Sequence, residues 1–379
     1  MRSRAPEGQE GPQTVKEQFT RLLQRMVQKD ASDIHFKTGS APFMRVDGEI
    51  QSMGGEPLHR EQINEVVSLM LSPEQERYFS RHGEVDLSYH EKGVGRFRVN
   101  VFRQRGTVSI VMRRIKTKIL GFDQLHLPPQ TERFARFNRG LVLITGTTGS
   151  GKSTTLASIV DYINDHRRCH VVTIEDPIEY VHSDRKAIIN QREITIDTHD
   201  FSSALKSVMR QDPDVILIGE MRDIETFMAA ISAAETGHLV FSTLHTTNVM
   251  QTIDRIIDLF PSNQHDQVRS ALALNLRALM CMRLLPRADG VGRVPACEIM
   301  FSTPAVRSLI KENRISQLQM AVQQGKEEGM QSFNDSLHDL IKQNLITLET
   351  GVEISDNPED LQMMLQGIRL SSKRGGILR

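Results

Sequence analysis

Residues 141–155 constrain the fold of this chain most strongly. Four apolar residues that favour β-strands, Leu141 to Ile144, run directly into the pattern G-x-x-x-x-G-K-S at residues 146–153, and a helix-like segment follows from Thr154. A strand, a glycine-rich loop and a helix in that order are typical of a loop that binds the phosphates of a nucleoside triphosphate. The sequence therefore predicts a nucleotide site at this point.

The residue types in the loop explain how it would hold phosphate. Glycines lack a Cβ, so the backbone can adopt positive φ angles and turn its N–H groups toward one anion at the start of a helix. Lys152 would place its charge between the β- and γ-phosphates, and the hydroxyl of Ser153 would complete the coordination of Mg²⁺. The alternative, an accidental match, is opposed by the flanking strand and helix. The predicted nucleotide-binding residues are Gly146, Thr147, Thr148, Gly149, Ser150, Gly151, Lys152, Ser153 and Thr154.

Three further apolar runs, at residues 171–174, 215–218 and 239–242, are each followed by polar side chains. Runs of this kind between helical segments are typical of buried parallel strands, whose carboxyl ends bind ligands at one edge of the sheet. We therefore expect the residues after all four runs to converge on one site. Those after the three further runs are Glu175, Asp176 and Glu179, then Glu220, then His245.

Each of these side chains has a chemical reason to meet a triphosphate. Glu220 follows a short apolar strand, where nucleotide hydrolases place an acid that holds Mg²⁺ with Ser153 or polarises the attacking water. The acids at 175, 176 and 179 can coexist if they face Mg²⁺ and water, although Asp-Pro is also a turn signal. His238 and His245 flank the fourth run. His245 is the candidate for a γ-phosphate contact, against the alternative of a structural histidine.

Residues 14–118 precede the predicted parallel strands. Their predicted order of helices and strands is α, β, β, α, β, β, β, which indicates a small α+β domain. We expect its second helix to end at Ser72-Pro73. The β-rich part carries six arginines, which are either solvated or directed at a triphosphate bound by a neighbouring domain or subunit. They are Arg96, Arg98, Arg103, Arg105, Arg113 and Arg114.

Composition narrows the class of protein. A chain of 379 residues exceeds one ordinary core. Lys plus Arg and Asp plus Glu number 47 each, so net charge gives no support for binding nucleic acid. No apolar run is long enough to span a bilayer, and the first residues lack the apolar region of a secretory signal. Three scattered cysteines indicate neither a disulfide framework nor a zinc site, which fits the cytoplasm.

Four blocks of the sequence resemble the secretion-superfamily ATPases. Residues 146–153, 173–180, 210–223 and 235–246 are similar to that superfamily's Walker A motif, Asp box, Walker B motif and His box. Residues 305–312 are similar to the signature of its type IV pilus retraction ATPases, the PilT/PilU family. Residues 95–106 and the C-terminal tail are closer to the PilU branch.

The resemblance implies a hexameric ATPase that uses ATP and Mg²⁺ to retract type IV pili and drive twitching motility. Its fold would be α/β: a disordered tail at 1–13, a PAS-like domain at 14–118, a linker at 119–129, a RecA-like domain with a parallel-strand core at 130–300, a helical region at 301–370 and a disordered tail at 371–379. Arginines from the smaller domain, Arg113 first and then Arg98 and Arg103, would approach the phosphates.

The same resemblance predicts where the protein acts and what it contacts. The ring would lie in the cytoplasm against the inner membrane, peripheral to it, and would contact a platform protein of the pilus machine. A paralogous retraction ATPase is a further candidate partner. Two other functions stay open at this stage. One is a pilus extension or type II secretion ATPase, and the other is a nucleotide-binding adaptor that docks on an active retraction ATPase.

Overall fold

A computed structural model describes residues 14–46, 48–115 and 118–367. The predicted tails at 1–13 and 371–379 lie outside the described residues. The chain divides at residue 118 into two compact units, each with its own hydrophobic core.

The first unit is a six-stranded antiparallel sheet with three helices. The sheet order is β3-β2-β1-β6-β5-β4. Residues Phe97, Val99 and Val101 of β5 are fully buried at every second position, as expected of a strand with one face on a core. The elements are α1 (Val15–Gln28), β1 (Asp33–Lys37), β2 (Phe43–Val46), β3 (Glu49–Ser52), α2 (Arg60–Met70), α3 (Pro73–His82), β4 (Glu84–Glu91), β5 (Gly95–Gln104) and β6 (Thr107–Arg114).

The helix α3 corrects the expectation that Ser72-Pro73 closes α2. Ser72 is the N-cap of α3, its hydroxyl accepts the backbone N–H of Gln75 at 3.3 Å, and Pro73 occupies the first turn. Serine followed by proline starts a helix well, because serine satisfies a free N–H group and proline at the first position loses none. The pair therefore ends one helix and begins the next.

The second unit is built on a seven-stranded sheet with the order β13-β12-β7-β11-β10-β8-β9. All neighbouring strands pair in parallel except β12 and β13. Its elements are α4 (Thr131–Arg136), β7 (Gly140–Thr145), α5 (Lys152–His166), β8 (His170–Glu175), β9 (Ile188–Glu193), α6 (Phe201–Val208), β10 (Val215–Ile218), α7 (Ile224–Glu235), β11 (Leu239–Leu244), α8 (Val249–Asp258), α9 (His265–Asn275), β12 (Leu276–Pro286), β13 (Arg293–Phe301), α10 (Pro304–Lys311), α11 (Leu318–Gln324), α12 (Phe333–Lys342), α13 (Leu348–Ile354) and α14 (Pro358–Leu365).

The four predicted parallel strands are β7, β8, β10 and β11, and they are apolar because helices cover the sheet. The sheet order places β11 between β7 and β10. The loop after β11 therefore lies between the phosphate loop, which follows β7, and Glu220, which follows β10.

The helices after residue 301 share the core of the second unit. Val306, Ile310 and Leu337 have no exposed surface and belong to the same cluster as the sheet. Leu127, in the expected linker, is also buried in that cluster. Among the described residues, no helix is both long enough and apolar enough to cross a bilayer.

Candidate nucleotide site

The phosphate loop has the backbone that its glycines predict. Gly146, Gly149 and Gly151 have φ angles of 148°, 78° and 98°, which side-chain-bearing residues rarely adopt. The loop ends at the first turn of α5, a helix of 15 residues. Its free N–H groups and helix dipole make this loop suitable for an anion. The hydroxyl of Ser150 is buried and has no partner within the described part of the chain.

The ammonium of Lys152 lies in the loop and contacts its backbone. Its Nζ donates to the carbonyl oxygens of Gly146 at 2.8 Å and Thr147 at 3.0 Å. Burial lowers its pKa, and the negative charges of Glu220 and Glu179 oppose that shift. An anionic phosphate oxygen is a stronger acceptor than a neutral carbonyl, so it would compete well for this ammonium.

His245 bridges the lysine and the acid. Its Nδ1 is 3.5 Å from Nζ of Lys152, and its Nε2 is 3.2 Å from Oε1 of Glu220. The three side chains therefore form a row along the carboxyl edge of β7, β11 and β10. Its side chain is 45% exposed, so the ring is accessible from the cleft.

Glu220 is held by a cation that the sequence did not single out. The guanidinium of Arg222 lies 2.8 Å from Oε2 of Glu220. Burial raises the pKa of Glu220, but the hydrogen bond from Arg222 and the charge of His245 outweigh burial and lower it. The carboxylate is therefore in the form that accepts a proton or binds a cation.

The acidic segment after β8 lines the same cleft, which has a volume of about 190 Å³. Oε1 of Glu175 accepts hydrogen bonds from the hydroxyl of Thr173 at 2.6 Å and from the amide of Gln191 at 3.1 Å. Burial raises the pKa of Glu175 despite those bonds. Asp176 and Glu179 line the cleft beside it.

The structure brings most of the predicted residues to this cleft. The hydroxyl of Thr154 lies 2.8 Å from that of Tyr180, which also lines it. Gly146, Thr147, Ser150 and Gly151 form the rest of the loop. The predicted residues that line the cleft are Thr148, Gly149, Lys152, Ser153, Glu175, Asp176, Glu179, Glu220 and His245.

His238 is not among the residues that line this cleft. It precedes β11, so it lies at the amino end of the strand, whereas ligands bind at the carboxyl end. Its Nδ1 lies 2.9 Å from the carbonyl oxygen of Ala233 at the end of α7. The ring closes a helix terminus.

The predicted arginines lie in the first unit. Arg98 and Arg113 are directly opposite each other on β5 and β6, and both are exposed. Arg113 pairs with Asp33 at 2.8 Å, and Arg45 approaches that carboxylate at 3.9 Å. Arg113 and Arg45 thus share the carboxylate of Asp33.

Arg103 is placed differently from the other two predicted arginines. Its guanidinium lies 5.4 Å from the ring centre of Phe79, on α3. This arrangement is a cation–π contact, so Arg103 has a packing role within the first unit.

Sequence reasoning missed three residues of the cleft: Arg222, Tyr180 and His182. The sequence does contain a pattern that indicates Arg222, because a basic residue two positions after an acidic residue at the end of a strand can reach its carboxylate. His182 is mostly buried, and burial lowers its pKa to about 4, with a smaller effect from Arg185. No pattern marked His182, because its burial depends on β9.

Comparison with known proteins agrees with this geometry. Residues 8–350 match the family model of type II/IV secretion system proteins. The chain is 44% identical over 342 residues to the type IV pilus retraction ATPase PilT of Pseudomonas aeruginosa, covering 90% of this chain and 99% of that protein. It is 40% identical over 349 residues to the type IV pilus ATPase PilU of the same organism, covering 92% and 91%. Overall identity thus does not favour the PilU branch.

A solved structure supports the same assignment. The pilus retraction motor PilT with bound ADP superposes with a TM-score of 0.85 at 43% identity, covering 91% of this chain and 98% of that one. Fold and sequence agree along nearly the whole length. The chain therefore belongs to the type II/IV secretion system ATPases and, within them, to the PilT/PilU family.

Proposed function

We propose that this chain is a Mg²⁺-dependent ATPase motor that powers the retraction of type IV pili. The observation that carries the proposal is the row of Lys152, His245 and Glu220 at the edge of one cleft. Nδ1 of His245 lies 3.5 Å from Nζ of Lys152, and its Nε2 lies 3.2 Å from Oε1 of Glu220. The retraction ATPase PilT is similar over 99% of its length. A phosphate-binding amine, an imidazole and an acid at one edge are what hydrolysis of a phosphoanhydride requires.

The residues present fit ATP and Mg²⁺. The loop amides would hold the β-phosphate, and a Cβ at Gly146 would meet Ser150 and the carbonyl of Met282, so only glycine leaves this cradle open. Ser153 and Glu220 supply hydroxyl and carboxylate oxygens, the ligands that Mg²⁺ prefers, directly or through water. The ion, when bound, neutralises charge on the phosphates.

Each protein group then has a defined task. Lys152 exchanges its two carbonyl acceptors for phosphate oxygens and stabilises the charge that spreads over the transferring group. Glu220, with its lowered pKa, accepts a hydrogen bond from the attacking water and orients it. His245 contacts the γ-phosphate, so loss of that group frees the imidazole and the turn that carries it.

The first unit would supply the remaining positive charge. Arg113 and Arg45 share the carboxylate of Asp33, and Arg98 lies directly opposite Arg113 on the neighbouring strand; this surplus of positive charge favours an added anion. We assign Arg113, then Arg98 and Arg103, to the phosphates of a nucleotide bound in the same chain or in a neighbour.

The same proposal covers assembly and location. The motor would act as a hexameric ring at the cytoplasmic face of the inner membrane, peripheral to the bilayer, and transmit movement to a platform protein of the pilus machine.

Measurement of ATPase activity and of twitching tests the proposal. The purified chain should hydrolyse ATP with Mg²⁺; Lys152→Ala should lose nucleotide binding and turnover, whereas Glu220→Gln should bind but not hydrolyse. Glu359→Gln, an exposed acid on α14, is the matched control and should behave as wild type. Normal turnover by both site variants would contradict the assignment.

A deletion strain separates the rival functions. Loss of retraction with pili still assembled, restored by the wild-type gene and not by Glu220→Gln, supports a retraction motor. Loss of assembled pili or of secretion would indicate an extension or secretion ATPase. Restoration by Glu220→Gln would indicate an adaptor that docks on another ATPase.

A further inference from the structure

Beneath the nucleotide cleft, buried polar side chains cross three neighbouring strands. The strand register aligns Thr145 of β7 with Cys281 of β12, and Cys281 with Glu298 of β13. The hydroxyl of Thr145 donates to the sulfur of Cys281 at 3.1 Å. Thr145 directly precedes Gly146, so this row begins at the base of the phosphate loop.

The far end of the row holds the start of α8. A carboxylate oxygen of Glu298 accepts the backbone N–H of Val249, the first residue of α8, at 2.8 Å. Glu298 is only 6% exposed. A buried acid at a helix N-terminus satisfies an N–H group that the helix itself leaves free, so the bond fixes where α8 begins.

A second bond fixes the turn that precedes α8. The hydroxyl of Thr252 donates to the carbonyl oxygen of Asn248 at 2.8 Å, and it lies 2.7 Å from the hydroxyl of Thr246. Because the one proton of Thr252 goes to Asn248, Thr246 donates to Thr252. Thr246 is buried and directly follows His245. The turn at 245–248 is thus tied to α8 through Thr252, and α8 is tied to β13 through Glu298.

We propose that Thr252 and Glu298 are positioning residues that hold His245 between Lys152 and Glu220. The inference rests on the proposed function, in which His245 contacts the γ-phosphate. The two ring nitrogens of His245 lie 3.5 Å from Lys152 and 3.2 Å from Glu220, and the side chain is 45% exposed, so little packing holds the ring and the backbone helps to fix its place. The two buried anchors do so from beneath the cleft.

Binding measurements test the inference without requiring turnover. The quantity is the ratio of the Kd for ADP to the Kd for the non-hydrolysable analogue AMP-PNP, with Mg²⁺ present, because only the analogue carries a γ-phosphate. Thr252→Val, which keeps the shape but removes the hydroxyl, should lower this ratio about tenfold, the effect of one lost buried hydrogen bond. His245→Ala should lower it at least as much.

A double-mutant cycle separates positioning from general loss of structure. If Thr252 acts through His245, Thr252→Val added to His245→Ala should lower the ratio no further. Glu298→Ala should lower the ratio as well, and Glu298→Gln should largely restore it, because the amide oxygen still accepts the Val249 N–H. Thr131→Val is the matched control, since its buried hydroxyl has no partner within the described residues.

The outcomes are decisive in either direction. Additive effects of Thr252→Val and His245→Ala, or equal weakening of ADP and AMP-PNP by Thr252→Val, would overturn the inference. Equal affinity of the wild type for ADP and AMP-PNP would overturn the inference too. It would not contradict ATP hydrolysis, which the ATPase assay tests separately. Failure of the wild type to bind either nucleotide would instead refute the proposed function.

Discussion

Replacing Gly146 by alanine should damage the phosphate loop far more than the same change at Gly149. Both glycines have positive φ angles, 148° and 78°. A Cβ at Gly146 would lie 2.4 Å from the hydroxyl of Ser150 and 2.5 Å from the carbonyl oxygen of Met282, whereas a Cβ at Gly149 would meet nothing within 4 Å. Ser150 can rotate away, but the Met282 carbonyl is part of β12.

The contacts set the expected size of the difference. A side chain in the left-handed region costs about 1–2 kcal/mol at Gly149, and the φ of 148° at Gly146 is at least as unfavourable for a residue with a Cβ. Overpacking adds about 1–3 kcal/mol at Gly146 alone. The loss of freedom that alanine brings to the unfolded chain is common to both variants and cancels. Gly146→Ala should therefore be less stable than Gly149→Ala by about 2 kcal/mol, which corresponds to about 4–8 °C in Tm for a unit of this size.

Thermal unfolding of the nucleotide-free variants, followed by circular dichroism, measures that difference. The wild type sets the reference, and Gly149→Ala serves as the control for backbone strain without a clash. ADP titration on the same samples should give the weaker binding for Gly146→Ala, because β12 and the loop must separate to accept the methyl group. Equal Tm values for the two variants would refute the packing argument.

Three other changes have expected outcomes. Arg222→Ala removes the cation that lowers the pKa of Glu220, so the acidic limb of the kcat/KM profile should move to higher pH in ATPase assays. Burial raises the pKa of Glu298 from 4.5 to about 7, so its contribution to stability falls as pH rises through that window. Between about pH 5 and about pH 8, the free energy of unfolding in urea should therefore fall more for the wild type than for Glu298→Gln. Ser72→Ala removes the N-cap of α3 and should cost the first unit about 1 kcal/mol in the same unfolding assay, with unchanged affinity for ADP.

In the second unit, the sequence predicted the short apolar strands β7, β8, β10 and β11 and missed β9, β12 and β13. Residues of β12, Leu276–Pro286, are mainly leucine, alanine, methionine and arginine, which favour helices in isolation. They form a strand because β12 pairs between β7 and β13, where its backbone groups are satisfied by neighbours far away in the chain. Pairing with strands that are distant in the chain gives the sequence of β12 no local pattern that predicts a strand.

Chain direction distinguishes the positions of the two histidines, because His238 precedes β11 and His245 follows it. A position next to a strand does not by itself indicate a ligand contact, because ligands bind at the carboxyl ends of parallel strands. The contribution of Arg222 was harder to foresee: its partner is Glu220, and that pairing depends on how the loop after β10 turns.

The order of strands explains why His245 holds the central place in the site. Lys152 follows β7 and Glu220 follows β10, and β11 lies between them. Strands two apart in a sheet are separated by about 10 Å, which leaves room for a phosphate group between the loops that carry Lys152 and Glu220. His245, at the end of the intervening strand, reaches both. A change of charge at either end therefore reaches the other through the imidazole, and the turn that holds this ring governs how the site responds to the γ-phosphate.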